Sequence, residues 1–121
     1  MPVKTNAHYV YWRIEYYETS AGRSPTFEFV EKLPLETQGR IRNAFRLLEE
    51  FGPRIGLPHL KSIKNYKPLY EIRILGEASV RLICVLQKRT FLILHGFRKK
   101  SQSIPKRELK TALKRLKTIN S

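Results

Sequence analysis

Aspartate is absent from all 121 residues, and ten glutamates stand alone against 24 lysines and arginines. A formal charge of +14 at pH 7 excludes an ordinary balanced surface and favours a polyanionic partner, nucleic acid first. Cysteine is equally scarce. Cys84 is the only one and lies in an apolar run, which excludes an intrachain disulfide, suits a buried thiol and allows a reducing compartment. With His8, His59 and His95 at no ligand-type spacing and aspartate missing, no metal site and no cofactor are expected. No apolar run approaches the roughly 20 residues of a membrane span, and the N-terminus lacks a signal-peptide core, so a cytoplasmic chain without a membrane partner is expected. A nucleotide-binding glycine loop, a Gly-x-Ser-x-Gly elbow, internal repeats and low-complexity segments are missing as well.

The charge that is present is segregated. Residues 1–60 hold eight Lys/Arg against seven Glu, whereas residues 61–121 hold sixteen against three. Thirteen of the fourteen excess charges therefore belong to the C-terminal half. A chain of 121 residues is one domain with room for a core of its own.

Aromatic and β-branched side chains over residues 9–17 predict a first strand, with Val10, Trp12, Ile14 and Tyr16 on one face as core. After a turn at Ala21-Gly22, Ser24-Pro25 offers an N-cap and a first-turn proline to a short helix through Leu33, with Phe27, Val30 and Leu33 inward. Beyond Pro34, Ile41, Ala44, Phe45, Leu48 and Phe51 mark the stripe of a second helix over 35–51, completing a helical hairpin. Arg40, Arg42 and Arg46 lie among Glu36, Glu49 and Glu50 as a mixed solvated face. Glycines and prolines make 52–68 a long irregular loop carrying His59, Lys61 and Lys64. An antiparallel meander follows over 69–75, 79–87 and 90–97, and a final helix after Pro105 packs through Leu109, Ala112, Leu113, Leu116 and Ile119. The fold class is α+β: a four-stranded, mainly antiparallel sheet with an N-terminal helical hairpin and a C-terminal helix.

Chemistry concentrates in Leu92-Ile93-Leu94-His95-Gly96-Phe97-Arg98-Lys99-Lys100, an apolar strand running into a histidine, a glycine and three cations. Glycine lets backbone turn or approach a ligand, and the cations complement phosphate. Arg81 interrupts an otherwise apolar central strand, where a charge needs a partner or a functional surface. Histidine and clustered cations suit metal-free RNA cleavage, in which a base removes the 2′-hydroxyl proton, cations stabilise the phosphorane and an acid protonates the leaving 5′-oxygen. Arg73, Arg81 and Arg98 are the candidates to hold the phosphate. His95 is either the base or acid or a core histidine satisfied by a backbone partner.

The stretches Ser24 to Val30, Pro58 to Lys61, Leu69 to Ile74, Val80 to Ile83, and Leu94 to Lys100 with Ile104-Pro105 resemble the RelE/ParE superfamily of toxin-antitoxin toxins, and within it the HigB-like, phage-derived branch. The resemblance spans almost the whole chain. It implies a ribosome-dependent messenger RNA endonuclease acting on the sheet surface and inhibited by a cognate antitoxin, expected to be a small helix-turn-helix protein. By position, Arg73 resembles a lysine on the second strand, Arg81 an arginine on the third, and Arg98 an arginine beyond the fourth that contacts the scissile phosphate. Glu71 stands where RelE has a basic residue, and Ile104 falls near its tyrosine. The catalytic set is thus Arg73, Arg81 and Arg98 with His95 or Glu71 handling a proton, and Lys61, Lys64, Lys99, Lys100 and His59 bind RNA. Two alternatives share the composition: a ParE-like gyrase poison, and a non-catalytic nucleic-acid-binding module.

Overall fold

The computed structural model describes residues 11–77, 79–100 and 103–120; His8, Tyr9 and Val10 lie outside them. Along the chain run β1 (Arg13–Tyr16), α1 (Pro25–Glu31), α2 (Leu35–Phe51), a 3-10 turn (Gly52–Ile55), β2 (Leu60–Ser62), β3 (Tyr70–Arg73), β4 (Val80–Gln87), β5 (Thr90–Arg98) and α3 (Lys106–Ile119). The strands form one sheet in the order β1-β5-β4-β3-β2, with β1 parallel to β5 and the rest antiparallel. The meander over β3 to β5 matches the three strands expected over 69–75, 79–87 and 90–97. The expected four strands become five because β2 forms inside the segment read as loop. It is too short for a period to register, yet Leu60 sinks into the core and pairs with Ile72.

Two cores lie on opposite faces of the sheet. On one, Val30, Leu33, Ile41, Ala44 and Leu48 of the α1–α2 region meet Ile72, Leu82, Cys84, Phe91 and Ile93. On the other, Leu109, Ala112 and Leu116 of α3 meet Ile83, Val85, Leu94 and Phe97. The central strand β4 is therefore apolar at Leu82, Ile83, Cys84 and Val85 in succession, a run that needs burial on both sides. The expected helical hairpin is not a packed pair: α1 lies on β5, and α2 sets Ile41, Ala44 and Leu48 against the same face of the sheet. Trp12, Ile14 and Tyr16 pack inward as expected, whereas Phe27 and Phe51 are exposed and Phe29 takes the inward place in α1. Ser24 donates its hydroxyl to the Tyr17 carbonyl instead of capping α1, while Pro25 does open the helix. Gly52, at φ 65, terminates α2 against Trp12, where a Cβ would collide with the indole ring. No helix among the described residues is long and apolar enough to cross a membrane.

Candidate functional site

Residues directly opposed across a ladder share a face, so the register decides which charges meet. Arg73 is opposed to Arg81, Arg81 to Phe97, and Lys61 to Glu71, which is opposed in turn to Ile83. Ile83 and Phe97 belong to the core beneath α3, so Lys61, Glu71, Arg73 and Arg81 point to that same side. Lys99, two residues beyond Phe97, follows suit, and its N–H continues the ladder to the Ser79 carbonyl.

These side chains form a ring around one carboxylate. Glu71, with its side chain 5% exposed, has Oε2 at 2.6 Å from Arg81 Nε and 3.7 Å from Lys99 Nζ, and Oε1 at 3.6 Å from Arg73 Nε. The two longer contacts are ion pairs beyond hydrogen-bond distance. Arg81 is tethered further by donation from Nη1 to the Val80 carbonyl at 3.1 Å. Three formal positive charges against one negative leave the ring at +2. The charge of Arg81, anomalous in a central strand, is thereby explained: Glu71 is the partner a desolvated guanidinium requires. Exposure grades across the ring, from 7% at Lys99 through 14% at Arg81 to 33% at Arg73, so the opening faces solvent on the Arg73 side. Burial pushes the Lys99 ammonium below the ordinary lysine range; Glu71 opposes the shift, and Arg81 and Arg73 add to it.

Arg98 stands apart. It is opposed to Val80, which lies in the α1–α2 core, so its side chain leaves from the opposite face to Arg81. There its Nη1 donates to Ser79 Oγ at 3.2 Å, and Ser79 donates to Glu77, which also accepts from Thr37 on α2. His95 is separate as well. A bulge makes Leu94 the extra residue of β5, since Ile83 opposes His95 while Cys84 opposes Ile93. Leu94 and His95 consequently turn to the same side, and His95 meets α3: Nε2 lies 2.6 Å from Glu108 Oε1, and Nδ1 lies 3.3 Å from Arg115 Nη1. A neutral ring donating from Nε2 and accepting at Nδ1 satisfies both contacts. Burial lowers the His95 pKa, with Arg115 acting in the same direction and Glu108 against it. Arg115 also donates to the Leu94 carbonyl at 2.8 Å, so this trio fastens α3 to β5. Of the two readings of His95, the satisfied core histidine describes its contacts, with side-chain partners in place of a backbone one.

Gly96 admits a helix rather than a ligand, for a Cβ there would lie 2.8 Å from Leu82 and 2.9 Å from Phe29 of α1. His59 sits beside the ring through its backbone, its carbonyl accepting from the Arg73 N–H at 2.9 Å, and it also lines a cleft of about 410 Å³ with Glu36, Arg40, Asn43 and Leu75. Lys64 and Lys100 are exposed, as is Lys61 beside Glu71. Cys84 is wholly buried, and desolvation pushes its thiol pKa up, consistent with a structural role. Among the described residues, no three His, Cys, Asp or Glu side chains gather where they could hold a metal ion. Sequence reading brought Glu71, Arg73 and Arg81 to the site but missed the place of Lys99. Period-two counting from Phe97 was the signal available for it.

Residues 28–117 match the family model described as phage-derived protein Gp49-like (DUF891). The chain belongs to this Gp49-like family. The family is part of the RelE/ParE-like toxin superfamily of toxin-antitoxin systems, and its members are toxin-type, endoribonuclease-like proteins. No curated protein matches the chain. The matched segment of the Gp49-like chain contains the ring from Glu71 to Lys99 and the His95 contacts with α3, and excludes β1.

Proposed function

We propose that this Gp49-like protein is the toxin of a type II toxin-antitoxin system, close to the HigB branch, and cleaves messenger RNA on cytoplasmic ribosomes without a metal. The observation that carries the reading is the Glu71 ring: guanidinium and ammonium groups at the open end of a sheet face, held at a net +2 by one carboxylate. Cleavage of RNA through its 2′-hydroxyl needs stabilisation of charge on the phosphorane, and preorganised cations supply it without reorganisation. Arg73 and Arg81 hold the scissile phosphate, Glu71 holds them, Lys61, Lys64 and Lys100 hold flanking phosphates, and Arg98, on the opposite face of the sheet, stands outside this set. His95 positions α3 and takes no proton from RNA, and His59, bonded through its carbonyl to the Arg73 backbone, borders the RNA path. Family context supports a cognate antitoxin, expected to be a small helix-turn-helix protein that covers this basic face.

Induction of the chain in cells, followed by primer extension on cellular messages beside a supercoiling assay, tests the reading. Cuts at defined codon positions are expected. Arg73→Ala, which leaves the Arg81–Glu71 pair in place, should lower cleavage about 10²-fold and relieve growth arrest. Intact messages with inhibited gyrase would replace this reading with a gyrase poison, and absence of toxicity would leave a binding module.

A further inference from the structure

Metal-free RNA cleavage needs a proton for the leaving oxygen, and the ring contains one group suited to give it. Arginine does not surrender its proton in proteins, which removes Arg73 and Arg81. Glu71 has both oxygens engaged by cations, and both ring nitrogens of His95 are engaged by α3. Lys99 remains. Its backbone is fixed by donation to the Ser79 carbonyl, its side chain is 7% exposed, and its Nζ lies 3.7 Å from Glu71 Oε2 beside two guanidiniums. A lysine that only tethers RNA would be expected in water, like Lys61, Lys64 and Lys100.

We propose that Lys99 is the general acid of the cleavage reaction, donating its Nζ proton to the 5′-oxygen that leaves the scissile phosphate. The proposal rests on the nuclease reading above. In the step, the 2′-oxygen loses its proton to water and bonds to phosphorus. The P–O5′ bond breaks with its electron pair on O5′, which takes the proton from Lys99. The products are a 2′,3′-cyclic phosphate and a 5′-hydroxyl end, and the neutral amine regains a proton from solvent. Burial and the neighbouring guanidiniums weaken the hold of Lys99 on its proton, which makes it a better donor than a solvated lysine. Glu71 is a positioning residue here, holding the ammonium by charge.

A synthetic message containing a cleavage site mapped by primer extension is loaded on ribosomes in two forms, with oxygen or with sulfur at the bridging 5′ position. A thiolate leaves without protonation because its conjugate acid, a thiol, has a pKa of about 8.5, far below that of an alcohol. Lys99→Met and Lys99→Arg should each slow cleavage of the oxygen message by about 10²-fold or more and cut the sulfur message at the wild-type rate. Lys99→Arg preserves the positive charge on a long side chain, and carries the test if Lys99→Met does not fold. Equal losses on both messages, or no loss on the oxygen message, would overturn the assignment. Wild-type protein that cuts neither message would instead overturn the nuclease reading beneath it.

Discussion

Glu71→Gln removes the one negative charge of the ring and keeps the side chain's size. Three cations then face each other across the space that Oε1 and Oε2 occupy, with their former contacts at 2.6, 3.6 and 3.7 Å. Breaking a buried pair by removing one partner costs about 3–5 kcal/mol, because the remaining charge stays desolvated. Arg73 is one-third exposed and can turn to water, so its share is small and the lower end applies, about 3 kcal/mol. Against a total stability of about 5–15 kcal/mol the variant stays folded at room temperature. Its Tm should fall by about 10 °C, at about 3–5 °C per kcal/mol for a domain of this size. Urea melts should show a lower midpoint with an unchanged slope. Inorganic phosphate should restore part of the loss, up to about 2.7 kcal/mol at 100 times its Kd, since an anion in the ring replaces the missing carboxylate. In the double variant with Lys99→Met the losses should be less than additive, because removing Lys99 also removes its repulsion of both guanidiniums. A destabilisation below about 0.5 kcal/mol, or an identical phosphate response in wild type and variant, would refute the role given to Glu71.

The His95 contact carries a pH dependence whose sign follows from its lowered pKa. The unfolded chain binds a proton at His95 near pH 6.5 and the folded protein only below that, so the contribution is complete above pH 6.5 and is lost as pH falls through the folded value. Thermal melts between about pH 5 and 7.5 should show this decline in wild type and not in His95→Gln, and a difference between the two that ignores pH would sink the assignment. His95→Gln should also keep RNA cleavage, measured by primer extension, within a few-fold of wild type, because the ring around Glu71 is untouched; a loss of about 10²-fold would return His95 to the catalytic set. Gly96→Ala should destabilise by about 1–3 kcal/mol, since its Cβ would meet Leu82 and Phe29 in a packed layer. Chemical melts of Gly96→Ala with and without Phe29→Leu check it: relief in the double variant is expected, and none would place the strain elsewhere.

Local pattern determined a good deal of this protein. Period-two alternation set out β3, apolar runs bounded by turns set out β4 and β5, and helical spacing set out α2 and α3, because each element buries a stripe or a run that a short window reveals. The absence of aspartate and the concentration of lysine and arginine after residue 60 suit the chain to a phosphate-bearing partner. Arg81 was conspicuous as a charge in a strand that is otherwise buried. What the sequence left open depends on neighbours distant along the chain. β2 exists only because the edge of β3 offers unpaired backbone groups and the core accepts Leu60. The helical hairpin dissolved into helices that bind the sheet separately, since a stripe says that a helix is buried and not against what. The bulge at Leu94 shifts the alternation by one residue, which turns His95 to α3 and Lys99 to the face of Glu71. A one-residue change of register exchanges the two faces of a strand. Composition therefore supplied the kind of charge, and the pairing of β4 with β3 and β5 decided that Glu71, Arg73, Arg81 and Lys99 meet in one ring.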